Sequence, residues 1–369
     1  MPYNMLHLLS TNTFNGAERV ALDICKNLDK EIFYPIAVCA GYELQAFFEK
    51  ESIECHSLDI SKMSIRQLLI LRKLIKSKDI KLIHAHDVRA SIAAKISACY
   101  LKVIVISHIH VEYQWLKRRS ILKLIDKLFR NRYKLSLACS NKVKEFYCKH
   151  NDTYNKDKVF ALPNSFDFHE FNKLQLVSKW NLKEANNLEK LQYVFGYLGR
   201  LIDVKGVDLI IESFSLFHKK YSSSILVIVG EGEEKEKLRQ LAGKYNLSDK
   251  VYFMGYRKDI YNWINIFDAF ILPSKREGLP MTILEAMAMK KIVIATAIGG
   301  IPELIVNNYN GILLESRNCE NLYKAMEYVY ENEDEVNRMV ENGYEHLKIN
   351  YSMEEYINKL QEIYLFSLS

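Results

Sequence analysis

Two cations stand close together in a glycine-bounded loop of the second half of the chain. Arg200 and Lys205 are five positions apart, and the loop begins at Gly199 and ends at Gly206. An arginine binds phosphate as a planar fork and a lysine binds it as a point charge, so both side chains could converge on a diphosphate. The pattern favours an anion site, with two solvated surface charges as the alternative.

Two carboxylates follow at a spacing that also suits a bound nucleotide-sugar. Glu277 precedes Pro280, a residue typical of the first turn of a helix, and Glu285 lies in the apolar helix that follows. Backbone N–H groups at such a helix start can bind an anion, while carboxylates can accept hydroxyl hydrogen bonds from a sugar and a ribose. Because a carboxylate within an apolar helix needs a partner, Glu285 is not explained as a surface residue. Gly299-Gly300 lies in a third loop of this kind.

Short Val- and Ile-rich segments alternate with amphipathic ones along both halves, which predicts α/β domains with parallel sheets. In such sheets ligands bind beyond the carboxyl ends of the strands, where the three loops lie. We predict two Rossmann-like domains, 1–170 and 171–350, a polar connection within 163–189, and a last helical segment, 351–369. The predicted strands are 5–9, 36–39, 82–84, 103–106, 135–139 and 159–162, then 193–198, 225–229, 251–253, 269–272, 292–295 and 311–313.

The composition is that of a globular protein that works in the cytoplasm. The chain has 369 residues, of which 49% are hydrophobic and 26% charged, with a net charge of +6. No apolar run reaches the roughly 20 residues that span a bilayer, and the first residues do not resemble a signal peptide. Seven cysteines without a C-x-x-C pair indicate reduced thiols. The mild positive charge allows an anionic partner; no nucleic acid is predicted.

Two histidine pairs follow strands of the first half. Side chains alternate along a strand, so His84 and His86 should face one way together, as should His108 and His110. A metal site at these pairs is a less favoured alternative, because no third ligand is near in sequence. The chain also has no Asp-x-Asp motif. We therefore predict no metal and no cofactor, with Arg200 and Lys205 supplying the positive charge.

A basic segment, 115–134, carries eight basic residues and one acidic residue, with leucines and isoleucines at near-helical spacing. This pattern predicts an amphipathic helix on an anionic membrane surface, and hence a peripheral location at the inner face of the cell membrane. The alternative is a surface helix whose apolar face packs on the sheet.

The glycine and glutamate motifs together resemble the retaining glycosyltransferases of family 4, which have the GT-B fold. The resemblance covers most of 193–315 and is looser in the first half. It implies two Rossmann-like domains facing across a cleft that holds the active site, and a last helix that crosses back to the first domain. One departure is Asp203, where such proteins usually carry Glu. The motifs that carry the resemblance are Gly199-Arg200 with Lys205-Gly206, Gly230-Glu-Gly232, Glu277 with Glu285, and Gly299-Gly300-Ile-Pro-Glu303.

The resemblance also implies residue roles. Arg200 and Lys205 would stabilise the leaving nucleoside diphosphate, Glu277 would bind the sugar, Glu285 the ribose, and the backbone at Tyr256-Arg257 the base. His110 would be the active-site histidine, with His108 as the alternative, and Asn164 a hinge. The implied donor-binding set is Gly16, Gly199, Arg200, Lys205, Gly230, Tyr256, Arg257, Glu277, Gly278, Leu279, Thr282 and Glu285, and the acceptor-side candidates are Asn15, His86, Asp87, His108 and Glu112. Asn15 stands where the family often has a first glycine, and its tolerance of left-handed backbone would preserve the loop.

The predicted function is transfer of a hexose or N-acetylhexosamine from a nucleotide-sugar, with UDP as the default base, to a saccharide or lipid-linked acceptor. The family resemblance implies retention of the anomeric configuration, and surface polysaccharide or glycolipid synthesis is the expected setting. Two alternatives stay open: a nonhydrolysing sugar-nucleotide epimerase, and a non-catalytic partner subunit of the same fold. A dinucleotide oxidoreductase is disfavoured, because no G-x-G-x-x-G follows the first strand of either half.

Overall fold

The computed structural model describes residues 2–117, 121–150, 154–179, 181, 182, 186, 188 and 192–369. They form two α/β units, one of Met1–Asn164 with Met353–Ser369 and the other of Ser165–Ser352. Each unit is built around a parallel sheet, as the alternation of strand and helix patterns predicted. The predicted polar connection, 163–189, lies partly outside the described residues.

The sheet of the first unit has the strand order β3-β2-β1-β4-β5-β6-β7 in the described chain. Its central strands are largely buried, as expected for a parallel sheet covered on both faces. Leu6, Ile36 and Ile83 of its centre are fully or almost fully buried. The bounds are β1 Tyr3–Leu8, β2 Phe33–Cys39, β3 Glu54–Ser57, β4 Leu82–Ala85, β5 Ile104–Ile109, β6 Leu135–Ala138 and β7 Val159–Ala161.

Helices connect these parallel strands, as parallel pairing requires. The last helix, α15 (Met353–Leu368), belongs to this unit, and it packs against the first helix, α1 (Gly16–Asn27). Its Tyr364 is fully buried beside Phe33 and His84. The other helices of the unit are α1 Gly16–Asn27, α2 Tyr42–Lys50, α3 Ile65–Ser77, α4 Val88–Ser97, α5 Ile121–Arg130 and α6 Asn141–His150, with 3-10 turns at Gln114–Lys117 and Lys156–Lys158.

Sequence patterns did not predict three elements of this unit, β3, α2 and α6. The strand β3 reads Glu-Cys-His-Ser and only its cysteine is buried, so it carries no apolar run. Among the described residues it is an edge strand that pairs only with β2, which explains why polar residues are tolerated there. Helix α2 buries only Leu44 and Phe48.

The sheet of the second unit has the strand order β10-β9-β8-β11-β12-β13 in the described chain, again with parallel pairing. Its central strands contain fully buried residues such as Val227, Ile271 and Ile294. The bounds are β8 Tyr193–Leu198, β9 Ser224–Val229, β10 Val251–Gly255, β11 Ala269–Leu272, β12 Ile292–Thr296 and β13 Ile312–Leu314. All six lie within two residues of the predicted bounds.

The helices of the second unit alternate with these strands. The acidic run at Glu333 forms the exposed first turn of the longest one, where negative charge suits the helix dipole. The bounds are α7 Phe168–Asn172, α8 Val207–Lys220, α9 Lys235–Lys244, α10 Ile260–Ile266, α11 Met281–Ala288, α12 Ile301–Leu304, α13 Cys319–Glu331 and α14 Glu333–Asn350, with a 3-10 turn at Asp203–Lys205.

The basic segment 115–134 corresponds to the 3-10 turn at Gln114–Lys117 and to helix α5, with 118–120 outside the described residues. The prediction of one basic amphipathic face was wrong in part, because Leu116 and Arg130 are buried. Arg130 is held inside by an ion pair with Asp126, whose carboxylate is 2.5 Å from the guanidinium. Within the described residues, no helix has the length and apolar character needed to cross a membrane.

Candidate active site

The loop after β8 places the first pair of predicted residues. Gly199 ends the strand with φ +156°, and Gly206 closes the 3-10 turn with φ +71°. A side chain at Gly206 would meet the Pro273 carbonyl oxygen at 2.6 Å, so glycine is required there. Arg200 is exposed between them and accepts a hydrogen bond on its backbone oxygen from the Tyr197 hydroxyl at 2.8 Å.

Lys205 and Glu277 come together although they are 72 residues apart. The Lys205 Nζ lies 2.6 Å from Glu277 Oε1, and both side chains are largely withdrawn from solvent. The hydroxyl of Ser274, which is fully buried, donates to the same Oε1 at 2.6 Å. Glu277 is therefore held by two donors. Sequence reasoning missed Ser274; its position two residues after β11, at the end where ligands bind, was the available signal.

The Gly299-Gly300 loop supports the backbone next to Glu277. Gly300 N–H donates to the Gly278 carbonyl at 2.6 Å, and Gly299 has φ +52°. A side chain at Gly299 would overlap the Glu277 carbonyl group. The sequence indicated a phosphate-type loop here; in the structure the two glycines allow one loop to pack directly on another.

Helix α11 carries the second carboxylate. Pro280 precedes it as the N-cap residue, and Leu279 is buried. Thr282 is half-buried in its first turn, while Glu285 is 5% exposed further along. The helix therefore starts beside Glu277 and Gly278, as Pro280 predicted, and its buried carboxylate is a ribose-binding candidate.

The strand ends around Gly230 meet in close backbone contact. Gly230 has φ +142°, and a side chain there would overlap the Gly199 carbonyl oxygen. Its N–H donates to the Gly255 carbonyl at 2.8 Å, next to the predicted base-binding residues. Tyr256 is 57% exposed, whereas the Arg257 guanidinium packs 4.9 Å from the centroid of the Trp263 ring.

In the first unit, Asn15 caps α1 in an extended conformation with φ −132°, so the expected left-handed backbone was wrong. Its N–H donates to Glu18 Oε2 at 3.0 Å, and the Thr11 hydroxyl donates to the other carboxylate oxygen. Burial raises the pKa of Glu18. A side chain at Gly16 would meet open space. The capping contacts between Asn15 and Glu18 therefore set the shape of the turn before α1.

The Asp87 carboxylate links the start of helix α4 to the loop that follows β1. The carboxylate accepts from the Ala90 N–H at 2.8 Å, which caps α4, and from the Ser10 hydroxyl at 2.6 Å after β1. We assign it this structural role first, while its acceptor contact stays a prediction. Glu112 is half-buried after β5.

The two histidine pairs face the same way, as alternation predicted, and they meet a fifth histidine. Parallel pairing sets His7 of β1 beside His84 of β4, and β5 follows β4. Adjacent imidazoles contact at 3.0 Å (His7 Nδ1 to His86 Nε2), 3.1 Å (His84 Nε2 to His108 Nδ1) and 3.3 Å (His86 Nδ1 to His110 Nε2). Only His110 is half-buried; the others are buried.

Burial is the main cause of a lowered pKa in all five histidines. It lowers the pKa of His7 and His110 to about 3, and that of His84, His86 and His108 well below the ordinary value. The cluster is therefore neutral at pH 7. The greater exposure of His110 agrees with its choice over His108 as the active-site histidine, and that role stays a prediction.

Comparison with known proteins bears on both units. The model of the family "Glycosyl transferases group 1" matches residues 178–346, and that of "Glycosyltransferase Family 4" matches residues 14–170. Together the two matches span most of the chain, which belongs to the family 4 glycosyltransferases and has the GT-B fold, as the sequence motifs predicted.

Relatives and solved structures agree with this assignment. An Escherichia coli UDP-Gal:alpha-D-GlcNAc-diphosphoundecaprenol alpha-1,3-galactosyltransferase is 26% identical, over 97% of this chain and 96% of its own. The Staphylococcus aureus capsular polysaccharide biosynthesis glycosyltransferase CapH is 26% identical, over 80% and 81%. The structure of Anabaena Alr3699/HepE in complex with UDP-glucose superposes with a TM-score of 0.86 at 19% identity, covering 98% of both chains.

Proposed function

We propose that this glycosyltransferase moves a hexose or N-acetylhexosamine from a UDP-sugar to a saccharide or lipid-linked acceptor, with retention of configuration. The observation that carries the proposal is the contact of Lys205 and Ser274 with Glu277 at the strand ends of the second unit. Support for UDP and for the acceptor class comes from the galactosyltransferase and the UDP-glucose complex, and retention is typical of the family.

Lys205 and Glu277 can each make further hydrogen bonds to a substrate. An ammonium has three N–H donors, so Lys205 can hold Glu277 with one and a diphosphate oxygen with the others. Both hydrogen bonds to Glu277 use Oε1, and its Oε2 can accept a sugar hydroxyl. Arg200 is exposed on the same loop and would add a second positive charge as the nucleoside diphosphate leaves. No metal is needed in this scheme.

The first experiment measures thermal shifts with UDP, GDP, ADP and their common sugars, with EDTA throughout. We expect UDP compounds to raise the melting temperature. Transfer assays with the preferred donor should then show turnover lowered on the order of 10²-fold or more in Lys205→Ala and in Arg200→Ala. Lys219→Ala, an exposed lysine of α8, is the matched control. Near-normal rates in both site variants would refute the donor-site assignment.

Product analysis separates this proposal from its alternatives. A retaining transferase gives an acceptor-linked product whose anomeric configuration, measured by NMR, equals that of the donor. An epimerase changes the donor sugar with no acceptor present. Binding of UDP-sugars without turnover on any lipid-linked or oligosaccharide acceptor would instead favour a non-catalytic subunit.

We also propose that α5 holds the protein peripherally at an anionic membrane. Ile121, Leu124 and Leu128 are 80%, 66% and 59% exposed at helical spacing, within a basic segment. Binding to vesicles containing anionic lipid should fall in Leu124→Ser and stay unchanged in Leu69→Ser, which alters an exposed leucine of α3. Equal binding by both variants would refute this contact surface.

A further inference from the structure

The five-histidine cluster contains a group of imidazoles in the arrangement of a metal-binding site. Ligand atoms of His86, His108 and His110 lie within 4.8 Å of one another, and so do those of His7, His84 and His86. Zinc–nitrogen bonds of about 2.0–2.1 Å at tetrahedral angles place neighbouring ligand nitrogens about 3.4 Å apart. The 3.3 Å between His86 Nδ1 and His110 Nε2 is already close to that separation.

In two of the three histidines, His86 and His108, the ring nitrogen that faces away from the ion has a hydrogen-bond partner. A ligating imidazole ordinarily donates its other N–H to a nearby acceptor, which fixes its tautomer and orientation. His86 Nε2 faces His7 Nδ1 at 3.0 Å, and His108 Nδ1 faces His84 Nε2 at 3.1 Å. His84 Nδ1 in turn contacts the Tyr364 hydroxyl at 2.5 Å. One consistent set of tautomers therefore leaves His86 Nδ1 and His108 Nε2 unprotonated.

One of these nitrogens has no other role in the described structure. His108 Nε2 is buried and, among the residues that the structure describes, has no hydrogen-bond partner. A buried polar nitrogen without a partner is costly, and a cation would satisfy it. His110 is the half-buried member of the group, so the site has a side open to an entering ion.

We propose that His86 Nδ1, His108 Nε2 and His110 Nε2 bind a divalent transition-metal ion of the zinc type. Imidazole nitrogens suit Zn²⁺, Cu²⁺ and Ni²⁺ better than the oxygen-seeking Mg²⁺ and Ca²⁺. Three protein ligands leave a fourth position for water or another ligand. The site belongs to the first unit, whereas Arg200, Lys205 and Glu277, for which we predict metal-independent action, belong to the second unit.

The test measures metal uptake directly. Full-length protein without a polyhistidine tag is titrated with Co²⁺, whose visible absorption reports tetrahedral nitrogen ligation, and then with Zn²⁺ as a competitor. We expect one Co²⁺ per chain, displaced by Zn²⁺, and loss of binding in His86→Gln and His110→Gln. His7→Gln removes only an outer partner and should weaken affinity on the order of 10- to 100-fold. His169→Gln, a highly exposed histidine, should bind like the wild type.

Each other outcome overturns the proposal. No Co²⁺ uptake by the folded wild type would mean that the cluster is a metal-free hydrogen-bonded chain, whatever the variants do. Binding that survives in His110→Gln but is lost in His7→Gln would place the ion in the other triad. If His86→Gln fails to fold, the comparison of His110→Gln with His7→Gln still decides, because His110 is at the half-buried end.

One consequence rests on the proposed function. If His110 acts on the acceptor, a bound ion would occupy the nitrogen lone pair that it needs, so Zn²⁺ should inhibit transfer in wild type. Uptake is measured without turnover, so a failed assay of transfer leaves the metal result intact, and absent uptake leaves the transfer proposal intact.

Discussion

The buried ion pair of Arg130 and Asp126 makes a quantitative prediction about stability. The guanidinium contacts Asp126 Oδ1 through Nη2 at 2.5 Å and through Nε at 3.1 Å, and donates to the Ser107 hydroxyl at 2.9 Å. It also lies near the rings of Tyr133 and Tyr147. The two charged side chains are 1% and 0% exposed.

The perturbation is Asp126→Asn, which keeps the shape and one acceptor oxygen but removes the charge. Breaking a buried ion pair by removing one partner costs about 3–5 kcal/mol, because the remaining charge is left uncompensated. For a unit of this size, that loss lowers the melting temperature by roughly 6–20 °C. The new amide nitrogen would take the place of Asp126 Oδ2, which has no partner among the described residues, so it gains no hydrogen bond in return.

The assay is thermal and urea unfolding followed by circular dichroism. Glu145→Gln breaks an exposed ion pair with Lys142 and serves as the control, with an expected change of less than about 0.5 kcal/mol. The double change Asp126→Leu with Arg130→Met replaces the pair by apolar groups and should recover most of the stability. A loss below about 1 kcal/mol in Asp126→Asn would refute the view that this charge is desolvated and held by one partner.

Three further substitutions test the backbone contacts and the histidine cluster. Gly230→Ala forces a side chain against the Gly199 carbonyl and should cost about 1–3 kcal/mol and abolish the thermal shift with UDP; an unchanged shift would contradict it. Gly243→Ala is its opposite: the added carbon meets no atom closer than 3.6 Å, so a helix gain of about 0.5–1 kcal/mol is expected, and a loss on urea unfolding would contradict this. Tyr364→Phe leaves His84 Nδ1 without its partner and should cost about 1–3 kcal/mol on urea unfolding, whereas an unchanged midpoint would show that the contact contributes nothing.

Sequence patterns predicted the second sheet well for a physical reason. Its central strands are buried on both faces, so they read as apolar runs such as Ser224–Val229, and a glycine or proline follows most of the strands. The same rule failed at the edge strand Glu54–Ser57, where burial is one-sided and short. It also misjudged 115–134, because local spacing cannot tell that Arg130 turns inward to meet Asp126.

Contacts between residues that are distant in sequence are beyond any local pattern. Lys205 and Glu277 were both singled out, yet their 2.6 Å contact depends on β8 and β11 being neighbours in the sheet. A serine after a strand is common, and Ser274 is distinguished only by its burial and its hydrogen bond to Glu277. Spacing along the chain therefore indicates which residues could bind a ligand, and the order of the strands in the sheet determines which of these residues lie close together.

The same reasoning applies to the histidine cluster, where the sequence pattern predicted no metal site. The prediction of no metal rested on each histidine pair being considered within its own segment of sequence. Parallel neighbours in a sheet lie only about 4.8 Å apart, so the third ligand comes from the next strand. His86, which follows β4, joins His108 of β5 and His110, which follows β5. A histidine at alternate positions on adjacent parallel strands, at the edge where ligands bind, is thus a stronger signal than any spacing within one strand.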